Sequence, residues 1–327
     1  FYTDLLIKKK ISVRCLNMKK NFQFIFHFFK LIYLIKKINP NIIQCWMYHA
    51  DILGGLAGKI LGIKKIYWNL RNSDLNLQWS NKTTIFLAKL SSYLSHILPY
   101  RIISCSSKSS TTHIELGYCK KKILLISNGF NEKKFFFSKK LKKKWKCKLK
   151  ITNNDIIFGF VGRWSSQKDF ETLFKAFSCF LKTVKNSKDV KLLLIGERIN
   201  KNNYELTEKI KKNKLNMNII LVDETIHINQ LLNVIDIGVF SSKGNEGFPN
   251  VIAEKMLTKI PCVVADVGDA KQIVGNSGWI YKKRNWIDLN KKLKIVYNNF
   301  FVNQEAWIVK KNFSREETDE VKFHIFL

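Results

Sequence analysis

The first 150 residues are short of acid. They hold 5 Asp and Glu against 30 Lys and Arg, a balance of +25, whereas the rest of the chain holds 20 against 27, or +7. Long apolar runs are also missing. The richest stretch, "NFQFIFHFFKLIYLI", is broken by Gln23, His27 and Lys30, so no segment offers the roughly 18 uninterrupted apolar residues of a membrane-spanning helix. No signal peptide is expected, because Lys8, Lys9 and Lys10 lead into neither an apolar run nor a small-residue cleavage site. The seven cysteines (15, 45, 105, 119, 147, 179 and 262) contain no CxxC pair, and the six histidines form no HExxH or other close pair. That excludes a disulfide framework and a dedicated metal site, and reads as reduced thiols in a cytosolic protein.

What is present is enough apolar material for real cores, 46% of 327 residues, a length that suits two domains. The basic excess has two readings. Lys, Asn, Ile and Phe are all abundant, as coding bias in an AT-rich genome produces, but bias explains the missing acids less well. The other reading is a basic face for an anionic membrane or an anionic substrate. A nucleic-acid partner is not expected, since no helix-turn-helix, RNP or zinc-finger signature accompanies the charge.

Short apolar strands alternate with amphipathic helices in the second half. Strands are expected at 155–162, 190–196, 218–223, 236–242, 261–266 and 278–282, and helices at 169–184, 202–214, 226–233 and from about 249. In 169–184 the residues Phe170, Leu173, Phe174, Phe177 and Leu181 share one face. The first half repeats the theme, with strands at 11–17, 42–46, 65–70, 101–107 and 123–129 and helices at 22–38, 51–61, 81–97 and 108–116. The stretch 22–35 reads either as a core helix or as an amphipathic surface helix. This alternation implies an α/β fold of two doubly wound, parallel-sheet, Rossmann-like domains. The lysine-dense segment 131–150 reads as the linker, dividing the chain into a first domain over 1–135 and a second over 151–300. A doubly wound domain opens on a strand, whereas "FYTDLLIKKK" reads as the tail of a helix, so the N-terminal strand of the first domain is expected to be lacking.

Two stretches carry chemistry. In "FVGRWSSQKDF" (160–170) a strand ends at Gly162 and a helix opens near Asp169, which places Arg163 and Lys168 outside the carboxyl end of a strand, where open α/β sheets bind ligands. Both cations suit a phosphate, and both also suit an ordinary solvated loop. In "SSKGNEGFPNVIAEKM" a Ser/Gly loop leads into a helix with Pro249 in its first turn. The free amides of Phe248, Asn250 and Val251 there make an anion site. Glu246 precedes that helix and Glu254 lies over a turn inside it, so the two carboxylates can reach different ends of an extended ligand.

In order and spacing these segments, with "PCVVADVGD" (261–269), resemble the retaining glycosyltransferases of family 4. "WMYHADILGGLAGK" (46–59), "NLRNSD" (69–74), "SNGF" (127–130) and "VGDAKQIVGNSGWI" (267–280) are similar to bacterial members that build cell-surface polysaccharides. The resemblance covers nearly the whole chain. It implies the glycosyltransferase-B fold, with two Rossmann-like domains facing across a cleft and a final helix over 301–327 crossing back to the first, acceptor-side domain. It implies a nucleoside-diphosphate sugar as donor substrate, no cofactor and no metal, and a glycan or lipid-linked acceptor at the cytoplasmic face of an anionic membrane. Arg163 and Lys168 match the pair holding the donor diphosphate, with Gly162 at the head of their loop. Glu246 matches the glutamate beside the donor sugar, and Glu254 the one that binds the ribose. Gly247, Phe248, Pro249, Asn250 and Val251 match the loop and helix start around the sugar and phosphates. His49 matches a histidine near the reacting carbon, with Arg71 and Asp74 as weaker candidates. The glycine-rich loop with which such enzymes open has no counterpart before "ISVRCLN". That leaves open a nucleotide-sugar-binding remnant, and the two-domain architecture leaves open a sugar-nucleotide epimerase.

Overall fold

The computed structural model describes residues 6–16, 24–75, 80–302 and 324–326. The first domain is built on a four-stranded parallel sheet in the order β2 (Ile42–Gln44), β3 (Lys65–Leu70), β4 (Arg101–Ser104), β5 (Ile123–Leu125). The second has a six-stranded parallel sheet. Its strands are β6 (Ile156–Val161), β7 (Val190–Ile195), β8 (Ile219–Val222), β9 (Ile237–Phe240), β10 (Cys262–Ala265) and β11 (Gly278–Tyr281), in the order β11-β10-β9-β6-β7-β8. A separate parallel pair joins β1 (Ser12–Arg14) to β12 (His324–Phe326). The helix expected over 301–327 is therefore a strand at 324–326, where a short apolar run pairs with β1; residues 303–323 lie outside the described residues.

Parallel strands buried on both faces explain the apolar runs of the second domain. Phe158, Phe160, Leu192 and Leu194 point into one core, and Ile157, Leu193 and Ile195 into the other, as period-two alternation requires. Helix α6 (Phe170–Leu181) covers the first of these faces, with Phe177 and Phe180 edge-on to Phe158 at 5.6 and 5.3 Å between centroids. The remaining helices of this domain are α7 (Tyr204–Lys212), α8 (Ile228–Leu231), α9 (Asn250–Leu257), α10 (Ala270–Val274) and α11 (Trp286–Val302).

The linker expected over 131–150 is shorter than that. Residues Lys139–Lys148 form α5, a helix of the second domain. Trp145 is buried in the second core of that domain, as is Phe135, and Lys142 is paired with Asp236 at 2.6 Å. The density of lysine hid the single aromatic that anchors this helix. The sequence reading also missed α11, which packs along α6.

In the first domain α1 (Phe24–Ile38), α2 (Tyr48–Ile60) and α3 (Lys82–Leu94) pack in succession, and α4 (Ser107–Glu115) follows β4. Helix α1 answers to both readings of 22–35. Leu31, Leu34 and Ile35 are buried, while Ile25, Phe26, Phe29 and Tyr33 form an exposed stripe interleaved with Lys30, Lys36 and Lys37. A second stripe runs along α3 and the turn after it, through Phe86, Leu90, Tyr93 and Ile97 with Lys82 and Lys89.

Beneath α2 lies a buried polar cluster. The hydroxyl of Tyr48 lies 2.8 Å from Nε2 of His113, and Nδ1 of His113 lies 2.8 Å from the Ser109 carbonyl. Because a carbonyl only accepts, Nδ1 carries the proton and Tyr48 donates to Nε2 of a neutral ring. Burial pushes the His113 pKa down to about 4. Asp51 is fully buried, neither carboxylate oxygen has a hydrogen-bond partner, and burial raises its pKa well above the usual range. The native state therefore holds a proton on Asp51 that the unfolded chain releases, and the stability this gives is lost as pH rises above the unfolded carboxyl value. Asp51→Asn is expected to raise the melting temperature by a few degrees, with a larger gain at pH 8 than at pH 5 in thermal melts.

Candidate active site

The second sheet runs outward from β6 through β7 to β8, then returns to the other side of β6 with β9. That reversal leaves a crevice between the carboxyl ends of β6 and β9, the place where open α/β sheets take ligands. The loop after β6 brings Gln167 and Lys168 to it, and the loop after β9 brings Ser242, Glu246 and Gly247.

The two loops are bonded to each other through one carboxylate oxygen. Lys168 Nζ donates to Glu246 Oε1 at 2.6 Å, and Gln167 Nε2 and Ser242 Oγ donate to the same atom at 3.1 Å each. The two charged side chains are 16% and 13% exposed, so their attraction is only weakly screened and the added donors fix the geometry. Oε2 of Glu246 accepts none of these bonds, and an ammonium with three hydrogens has two left for an anion. Lys168 also stands 5.5 Å from the centroid of the Phe240 ring. Arg163 is exposed in the same loop and takes no part in the Glu246 cluster. The Gly162 amide donates to the Ile195 carbonyl at 2.9 Å, holding the start of that loop against β7.

Pro249 occupies the cap position of α9, and Asn250 and Val251 open it. Amides of a first turn have no intrahelical acceptor and face outward toward anions. The Phe248 ring stacks on Phe130 at 6.1 Å. One turn on, Glu254 is half-buried; burial raises its carboxyl above the usual range, and Lys134 and Lys255 partly oppose this. The next residue, Lys255, is wholly buried and donates to the carbonyls of Gly159 and Val239 at 2.9 Å each. Gly238 admits it, because a Cβ at that position would sit 2.9 Å from Lys255 Cδ.

The first domain closes on this loop. The Ser73 hydroxyl donates to the Glu246 carbonyl. A Cβ on Gly247 would lie 2.8 Å from the Arg71 carbonyl oxygen, so only glycine fits between the domains there. Arg71 Nη1 donates to Asn128 Oδ1 at 2.8 Å, and Asn128 Nδ2 donates to Asn250 Oδ1 at 2.7 Å, a relay from β3 to the start of α9. His49 is exposed in the first turn of α2, on the edge where Asn69 Nδ2 bonds to the Cys45 carbonyl, and is not joined to the Glu246 cluster. Asp74 is half-buried in the segment after β3. Gln167, Ser242, Ser73 and Asn128 were not singled out from the sequence. All four lie inside quoted motifs, but only the fold shows which of their polar side chains turn toward the Glu246 loop and the start of α9.

A cavity of about 520 Å³ opens beside the crevice, between Lys175 of α6 and Lys243, Arg284 and Trp286; no candidate residue lines it. Among the described residues no three His, Cys, Asp or Glu side chains lie close enough to hold a metal ion, and no helix is long and apolar enough to cross a membrane.

Residues 155–299 match the family model of the glycosyl transferases group 1. The capsular polysaccharide biosynthesis glycosyltransferase CapM of Staphylococcus aureus is 24% identical over 282 residues, covering 83% of this chain and 70% of CapM. Among solved structures, Anabaena HepE in complex with UDP and glucose superposes with a TM-score of 0.78 at 21% identity, over 93% of this chain and 80% of HepE. A glycosyltransferase from Rickettsia africae gives 0.78 at 22%, over 95% and 83%. These structures share the fold of two facing Rossmann-like α/β domains expected from the sequence.

Burial pushes the Lys255 pKa down to about 8 from its ordinary 10.5. The unfolded chain therefore binds more protons between those values, so the cost of burying the ammonium is complete below pH 8 and is relieved as pH rises toward 10.5. The urea midpoint of the parent is therefore expected to rise between pH 8 and pH 10.5 relative to that of Lys255→Met, which has no ammonium to bury; parallel midpoints over that range would remove the assignment.

Proposed function

We propose that the protein is a glycosyltransferase that moves a sugar from a nucleoside-diphosphate sugar to a glycan or lipid-linked acceptor, with retention at the anomeric carbon, in the synthesis of a cell-surface polysaccharide. The observation that carries this reading is the Lys168–Glu246 pair at the switch point of the second sheet, beside the open N-terminus of α9. The group 1 match over this domain supports it, as do the activity named for CapM and the UDP-glucose complex of HepE.

Breaking the bond between sugar and phosphate drives negative charge onto the diphosphate. Lys168, Arg163 and the amides of Asn250 and Val251 would take up that charge where it develops, in place of a divalent cation. Glu246, with Oε1 fixed by its three donors, would offer Oε2 to a hydroxyl of the donor sugar, and Glu254 would accept from the ribose. The sugar passes through an oxocarbenium-like state. The acceptor hydroxyl attacks from the side the diphosphate leaves, and its proton passes to the departing phosphate oxygen, so one glycosidic bond replaces one glycosyl-phosphate bond. His49, on the opposing edge, is assigned to the acceptor side near the reacting carbon. Closure of the domains excludes water, which would otherwise hydrolyse the donor.

Lys168→Ala is expected to lower transfer by about a hundredfold, the cost of one charged donor at ~3 kcal/mol; activity within twofold of the parent removes the assignment. Glu246→Gln is expected to abolish transfer while a calorimetric titration still detects nucleoside diphosphate. A parent protein with no affinity for any nucleoside diphosphate would defeat the whole reading.

The acceptor side is assigned to the cytoplasmic face of an anionic membrane. The support is the pair of exposed aromatic stripes on α1 and α3, interleaved with Lys30, Lys36, Lys37, Lys82 and Lys89, in a half of the chain with a balance of +25. Lysines near an anionic bilayer contribute about 1 kcal/mol each, and aromatic side chains partition into its interface. The protein is expected to pellet with anionic vesicles at low salt and to be released by salt or by the pair Phe29→Ser and Tyr93→Ser. Failure of the parent to pellet overturns the membrane assignment.

A further inference from the structure

Asp269, in the turn between β10 and α10, is 4% exposed. Its carboxylate does not serve its own domain. Oδ2 accepts from the Ser107 amide at 2.7 Å and Oδ1 from the Lys108 amide at 3.0 Å. These are the first two amides of α4, in the first domain. The Ser109 amide is met locally by the Ser106 hydroxyl, and the Ser110 amide makes the first intrahelical bond, to the Ser106 carbonyl. The first three amides of α4 have no intrahelical acceptor, and two of them are satisfied only through the second domain. A carboxylate there also meets the positive end of the helix. Gln272, from α10, adds a bond to the Ser107 hydroxyl at 3.2 Å.

The same residue grips the loop that carries Glu246. The Asp269 amide donates to the Gly247 carbonyl at 3.0 Å. Its neighbour Gly268 takes φ +54, and a Cβ there would collide with the Glu246 and Gly247 carbonyl oxygens. One turn therefore holds the Glu246–Gly247 peptide on one side and the start of α4 on the other. Ser73 reaches the Glu246 carbonyl from the first domain.

We propose that Asp269 is a positioning residue that latches the two domains and, through its amide, makes the placement of Glu246 depend on the cleft being closed. Its side chain does not touch the donor; it acts through the Glu246 loop. The kinetic consequence rests on the glycosyl-transfer reading, whereas the latch itself does not.

The experiment compares the full-length parent with Asp269→Ala and the near-isosteric Asp269→Asn, in which one oxygen acceptor remains. Hydrogen exchange is followed at the amides of 107 and 108. Exchange is expected to be fastest in the alanine variant and intermediate in the asparagine variant, with melting temperatures close to the parent. With UDP-sugar and acceptor, kcat for transfer is expected to fall about tenfold in Asp269→Ala while the donor KM stays within twofold. Donor hydrolysis should rise relative to transfer, a change that mere loss of folded protein would not produce. Unchanged exchange at 107 and 108 overturns the latch. Faster exchange with an unchanged kcat and an unchanged ratio of hydrolysis to transfer overturns the coupling to Glu246. A parent that transfers no sugar defeats the glycosyl-transfer reading and, with it, the kinetic part of the proposal, and leaves the exchange result to decide the latch on its own.

Discussion

A single carboxylate oxygen organises the cleft. Glu246 Oε1 gathers an ammonium, an amide and a hydroxyl from the loops after β6 and β9. Those loops are adjacent only because the chain reverses its direction of travel between these strands. Without Lys168 a shielded carboxylate would stand at the end of the sheet with neutral donors alone, and burying charge without a counter-charge is costly. Without Glu246 the ammonium would be the uncompensated member. Each charge makes the other tolerable at that depth, and together they set the path of the backbone that the first domain touches through Arg71 and Ser73.

The second domain combines a dry interior with one deliberate exception. Phe158, Phe160, Phe174, Phe177 and Phe180 fill one side of the sheet, while Lys255 threads between Gly159 and Val239 in the middle of it. Its cost is softened by two carbonyl acceptors and a depressed pKa, and the space comes from the missing side chain at Gly238. The first domain distributes charge differently. Its lysines lie on the outer ridges of α1 and α3 among exposed aromatics, while Asp51 is sealed inside with no partner.

Much of this was legible in the sequence. Strands buried on both faces read as continuous apolar runs, so β6, β7, β9 and β10 were placed to within a residue or two. Lys168 and Glu246 were legible because a cation and a carboxylate flank strand ends at recognisable turns. Other features were hidden for physical reasons. In α5 one Trp among lysines anchors the helix, and a composition count sees only the lysines. In α11 the start is marked only by Asn285, whose side chain accepts from the Asp288 amide, a cap easily lost among the preceding lysines and arginine. Helix α2 begins at Tyr48 rather than residue 51, which sets His49 on a helix turn instead of a loop. Gln167, Ser242 and Asp269 are ordinary polar letters, and their importance comes from long-range neighbours that no local pattern encodes.

The stack of Phe130 on Phe248 has a mechanical consequence. Phe130 belongs to the segment joining the two sheets, and Phe248 sits between Glu246 and the start of α9. Phe130 is nevertheless buried in the core of the second domain. The joining segment is therefore clamped at that ring, beside the loop that carries Glu246, and any bending between the lobes has to be taken up elsewhere along the chain.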